Sequence, residues 1–194
     1  MQYQPPGAPK KNNTVLWVVI GALGLGGCGC LIAVGAAVLF PVFSQARLAA
    51  IRTKALSNVK RSALSVIMYS ADNNDKLPVG DQWMDAAQPY AQDRSVFRSP
   101  LAAKQAPDAY GFAFRKELSN KKATAISDAA QWIMIFDSTI LARNACSGLE
   151  TLPMPPRYGG GSRRSNVVAF ADGHAKTLSE DSMDMLGKPG SSYK

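Results

Sequence analysis

The chain has 194 residues, a formal charge of +8, three cysteines and one histidine. That length accommodates one domain of ordinary size plus an anchor. A single histidine excludes histidine-rich metal sites, and with Cys28 and Cys30 inside an apolar run, Cys146 alone cannot build a disulfide framework in the remainder. All 14 acidic residues and 20 of the 22 basic ones lie beyond Phe43, which leaves +6 there. No stripe of basic residues interleaved with aromatics stands out, so the charge reads as a solvated surface and no nucleic-acid partner is expected.

Residues 1–13 hold three prolines, a glycine, Lys10 and Lys11, and read as a disordered N-terminal tail. From Val15 to Phe43 every residue is apolar, Gly, Cys or Pro, and no charge falls between Lys11 and Arg47. As a helix that run is about 43 Å long, more than the ~30 Å hydrocarbon core of a bilayer demands. The apolar part of a signal peptide is shorter, so residues 14–43 are predicted to be a transmembrane helix that stays, with the lipid bilayer as its partner. Within it Gly29, Ala33 and Ala37 recur every four residues and form a small-residue stripe, the candidate contact for helix–helix packing in lipid.

Pro41 is placed to kink the end of this run. Beyond it Leu48, Ile51, Ala55, Val59, Ala63 and Ile67 recur at spacings of three or four, with Arg47, Arg52, Lys54, Lys60 and Arg61 on the intervening positions. That period predicts residues 44–72 as a soluble continuation of the helix, with one packed and one wet face, ended by the turn formers Asp72-Asn73-Asn74-Asp75.

Residues 73–186 are expected to form a small β-rich domain. Trp83 to Tyr90 reads as a helical turn or two; Val96-Phe97 and Tyr110–Phe114 read as short strands. Asp128–Gln131 reads as a turn or brief helix leading into the apolar strand Trp132–Phe136. Pro153, Pro155, Pro156 and Gly159-Gly160-Gly161 mark an irregular loop. Asn166–Phe170 and His174–Leu178 flank Asp172-Gly173, a strong hairpin signal because glycine accepts positive φ in the turn. Residues 187–194 read as a disordered tail. One long helix followed by strands that close in a hairpin is an α+β arrangement.

The order of these pieces resembles the bacterial type IV pilins and type II secretion pseudopilins, closest in the branch ending in a Phe-x-Asp-Gly-His hairpin. The matching words are Phe40-Pro41-Val42-Phe43-Ser44-Gln45-Ala46-Arg47, Leu56-Ser57-Asn58-Val59-Lys60 and Met68-Tyr69-Ser70-Ala71-Asp72. They continue with Leu77-Pro78, Trp83-Met84-Asp85-Ala86, Val96-Phe97-Arg98-Ser99-Pro100, Tyr110-Gly111-Phe112, Phe136-Asp137-Ser138 and Phe170-Ala171-Asp172-Gly173-His174. The resemblance implies a pilin-like fold: a long N-terminal transmembrane helix continuing into a soluble helix packed on a small antiparallel sheet. It implies a structural or assembly subunit of a bacterial envelope appendage or secretion system, not an enzyme. It also implies packing with itself or other pilin-like subunits through that helix. Relatives begin the apolar run with a prepilin peptidase word containing Glu; here the run opens Asn13-Thr14-Val15-Leu16-Trp17, and the first acidic residue is Asp72. That departure keeps open a permanently anchored, non-polymerising envelope binding module on the same fold. Relatives also often carry Cys where Ala55 and Ser99 stand, and His near the place of Tyr158. On orientation two rules oppose each other. The excess of Arg and Lys after the run places the domain in the cytoplasm by the positive-inside rule. The resemblance places it outside, and the extracytoplasmic side is the one expected.

Candidate sites each have a plainer reading. Asp172 and His174 suit catalysis or metal binding in type, yet across a hairpin tip they suit turn chemistry, and no catalytic residue is assigned. Asp72 and Asp75, with Asn73 and Asn74, offer the hard oxygens calcium takes, but lack the glycine of an EF-hand loop; no other cofactor is expected. Gly159-Gly160-Gly161-Ser162-Arg163-Arg164 could cradle an anion, but no strand–loop–helix context follows it. Leu25-Gly26-Gly27-Cys28 resembles a lipoprotein cleavage word, but the apolar run continues well past it.

Overall fold

The computed structural model describes residues 13–159 and 164–186; for residues 14–16 and 19–41 it describes the backbone and not the side chains. The two terminal tails expected to be disordered, apart from Asn13, lie outside the described residues, as do Gly160 to Arg163 of the glycine-rich loop. Helix α1 spans Thr14–Asp72. Among the described residues no helix is long and apolar enough to cross a membrane, and the side chains of most of the apolar run are outside that description. The chain divides into two units, Met1–Ala46 and Arg47–Lys194.

The second unit is an α+β domain in which the latter part of α1 packs on a five-stranded sheet. The strands are β1 (Phe112–Arg115), β2 (Ile133–Asp137), β3 (Cys146–Ser147), β4 (Ser165–Phe170) and β5 (Ala175–Ser179), in the order β3-β1-β2-β4-β5. β1, β2, β4 and β5 are antiparallel neighbours, as expected; β3 corrects the all-antiparallel expectation, because Phe114 pairs with Cys146 in parallel. The reversal needed for an antiparallel β3 is missing because the chain after β2 returns to the start of β1, where Tyr110 N donates to Leu141 O, and then runs along it.

Alternation sorts the strand residues onto two cores. Phe112 and Phe114 of β1 and Val167 and Ala169 of β4 join Ala55, Val59, Ala63 and Val66 of α1 in one buried cluster with Trp83 and Met84. Ala113, Val168, Phe170 and Leu178 face the other way, with Leu152 and Met183. Both faces are therefore covered, the second in part by a short helix α3 (Glu180–Asp184), which was not foreseen. A strand buried on both faces has no wet side to alternate with, which is why residues 132–136 read as a continuous apolar run. In β2 both Met134 and Ile135 join the α1 cluster; the register against β4 shifts between Ile133 and Ile135, and such an irregularity breaks strict alternation.

The expected strand at Val96-Phe97 is instead part of a 3-10 turn, Arg94–Phe97. Its backbone is taken by side chains and not by a neighbouring strand. Asp93 Oδ1 accepts from Ser95 N at 2.9 Å, Asn58 Nδ2 donates to Arg98 O at 2.9 Å, and Ser62 Oγ donates to Val96 O at 2.9 Å. Asn58 and Ser62 are buried polar positions on α1, so these bonds satisfy groups that would otherwise cost stability. Trp83–Ala87 forms the short helix α2, followed by a 3-10 turn at Gln88–Tyr90, as the sequence suggested. Residues 127–131 form turns before β2.

Candidate functional site

The Asp172-Gly173 hairpin forms as expected: β4 and β5 pair from Ser165–Ser179 to Ala169–Ala175, and Gly173 takes φ +89°. His174 N donates to Asp172 Oδ1 at 3.0 Å, and its Nδ1 lies 2.6 Å from the same oxygen. The imidazole stacks on Phe170, with centroids 4.1 Å apart and planes 5° from parallel. Those contacts hold the ring within the turn and place the tip against α1, where a methyl group on Gly173 would meet Ile67 at 3.0 Å and Leu64 at 3.2 Å. The pair suggested by sequence is thus brought together as turn chemistry that seats the hairpin on the helix.

Asp72 and Asp75 are directed to different partners. The Asp72 carboxylate receives the Tyr90 hydroxyl, which raises the phenol above its ordinary range. Asp75 accepts at Oδ2 from Thr124 N at 2.9 Å and from the Thr124 hydroxyl, and its backbone oxygen accepts from Ala123 N at 2.8 Å. The Thr124 hydroxyl and then its N–H hold the Asp75 carboxyl below its ordinary value. Asn74 and Asp75 both adopt left-handed backbone, φ 56° and 62°, a conformation that Asn and Asp tolerate. The four residues therefore end α1 and pin the following loop to residues 123–124. Among the described residues no three His, Cys, Asp or Glu side chains gather where a metal could sit. The candidate contact residues Gly29, Ala33 and Ala37 lie outside the described side chains, as does Cys28 of the lipoprotein-like word.

Sequence reasoning missed a buried polar network. Asp137, at the end of β2, is fully buried, and its Oδ2 accepts from Val167 N at 2.7 Å. Arg157 brings Nη1 to 3.7 Å from Asp137 Oδ1, 3.2 Å from Ser99 Oγ and 3.3 Å from Gly111 O, while Nη2 donates to Ser138 O at 2.6 Å. Tyr158 and Ser99 share a hydroxyl–hydroxyl bond of 2.5 Å, and Tyr158 reaches Asp137 Oδ1 at 3.4 Å. Burial pushes the Asp137 carboxyl up to about 7, against the opposing pull of Arg157 and the Val167 N–H. Burial and the adjacent Asp137 also raise the Tyr158 phenol. Ser99 and Tyr158 thus touch each other. The available signal was Asp137 itself, an acid closing an otherwise apolar strand, where a charge has to find partners or shed its proton.

Two rings each have two cations close by: Arg98 and Arg143 sit 5.1 and 5.7 Å from the Tyr110 centroid, and Arg115 and Lys121 sit 5.8 and 5.7 Å from Trp132. These pairings are non-local and invisible to a search for interleaved sequence.

Another surface feature is α1 itself. From Val42 to Lys54 every residue is exposed except Leu48 and Ile51, which are partly covered. From Ala55 onward one face is sealed by the sheet, while Leu64 and Met68 stay 43% and 53% exposed and line an open groove of about 260 Å³ with Arg61, Ser65, Tyr90 and Val96. Such a helix offers apolar packing surface. Comparison with family models, curated proteins and solved structures found no match.

Proposed function

We propose that this chain is a membrane-anchored structural or assembly subunit of the pilin and pseudopilin type. Residues 14–43 span the bilayer and residues 44–186 stand outside the cytoplasm. Its work is helix-on-helix packing through the Gly29, Ala33, Ala37 face, with itself or with similar subunits, and no chemistry is assigned to it. The observation that carries this reading is a single helix, Thr14–Asp72, apolar in its first half, bare over residues 42–54 apart from two partly covered positions, and clasped by a sheet only from Ala55. A helix dressed this way supplies anchor, spacer and scaffold in one element.

A second reading is favoured by one specific feature. No acidic residue precedes Asp72, so the charge that would neutralise a neighbour's amino terminus in a fibre is missing. On that reading the domain is a permanently anchored envelope binding module that does not polymerise. Intact mass of membrane-extracted protein separates the two: loss of the residues before the apolar run supports the subunit, and an uncut Met1 start supports the permanent anchor.

A further inference from the structure

Resting on the anchored reading above, we propose that Arg47, Arg52 and Lys54 form a cationic collar that binds anionic phospholipid headgroups at the leaflet next to Phe43. These are the first three charges after the apolar run, and no carboxylate precedes Asp72 in the chain. All three side chains are exposed, on the part of α1 that the sheet leaves uncovered. Among the described residues none of the three enters an ion pair. One carboxylate acts electrostatically on this stretch: Asp93, facing Lys54 and Arg61, and already bonded by Ser95. Arg47 and Arg52 are left for an external anion.

At about 100° per residue, Lys54 lies about 20° from Arg47 around the helix, and Arg52 about 140° away on the other side, so the three cations flank Leu48 and Ile51 and leave both sides of this stripe positively charged. Arg47 follows Phe43 by four residues and Lys54 by eleven, which at about 1.5 Å of helical rise per residue is at most about 6 and 16 Å, within reach of long side chains and one screening length of the headgroups. Lys60 and Arg61 lie more than about 25 Å along and contribute little.

The test reconstitutes the full chain in vesicles of equal phosphatidylglycerol and phosphatidylcholine and measures, with spin-labelled lipids, the relative association of each headgroup with the protein. The expected result is a roughly fivefold preference for phosphatidylglycerol in the wild type, since each interfacial cation is worth about that factor. It should fall below about twofold in the combined R47Q, R52Q, K54Q variant and in high salt. The K60Q, R61Q variant should keep the preference. A motionally restricted lipid population with equal affinity for both headgroups, or an unchanged preference in the triple variant, would overturn the collar and leave the anchor standing. So would an equal loss in K60Q, R61Q. Absence of any restricted lipid would overturn both.

Discussion

At the scale of single residues, most polar side chains that look functional turn out to hold loops in place, and each can be tested as such. Gly173 combines φ +89° with Ile67 and Leu64 at the distances where a Cβ would press on them. Gly173→Ala is therefore expected to cost about 1–2 kcal/mol, measured by chemical denaturation of the detergent-solubilised chain, with the hairpin lifted off α1. Asp137 gives a pH signature. Its folded carboxyl titrates at about 7, above its ordinary value of 3.8, because burial disfavours the charge. The native state therefore holds a proton that the unfolded state releases across that window. The stability associated with it is complete below pH ~4 and is lost as pH rises through ~7. Asp137→Asn, which imitates the neutral form, should flatten the dependence of the denaturation midpoint on pH between 4 and 7, while the wild type declines across it. A variant as steep as the wild type would show that another group is responsible. What the sequence could show at this scale was local: the turn at Asp72–Asp75 and the Asp172-Gly173 hairpin are written in adjacent residues. The Asp137, Arg157, Ser99 and Tyr158 network joins residues up to 59 apart in the chain, and no periodicity encodes it.

At the scale of elements, α1 and the closing hairpin were legible because their signals are periodic and long. The end of α1 at Asp72 and the strands β4 and β5 follow the apolar spacing closely. The shorter elements were decided by tertiary partners. Val96-Phe97 has strand propensity, yet Asn58 and Ser62 claim its neighbouring carbonyls, and the segment winds into a 3-10 turn. β3 is two residues long and carries too little pattern to reveal its parallel pairing. The packed face of α1 is built from small residues where it meets the sheet: Ala55 and Ala63 are fully buried. Ala63→Leu should therefore overpack that interface and destabilise by about 1–3 kcal/mol by the same denaturation assay. Farther along, Ala33→Leu should weaken self-association of the membrane-embedded chain, read by energy transfer between labelled copies. Unchanged transfer would reject the small-residue stripe as the contact.

At the scale of the whole molecule, an uncharged apolar stretch opens the helix whose latter part packs on the sheet. The domain organises a helix surface and pins its own loops, and Arg47, Arg52 and Lys54 are exposed on the helix soon after the apolar stretch. The proposed role depends on residues 14–43 residing in the bilayer. Alkaline carbonate extraction of membranes from cells making the full-length chain tests that claim most directly. A chain anchored by residues 14–43 stays in the membrane pellet; recovery of the intact chain in the supernatant would overturn the anchor.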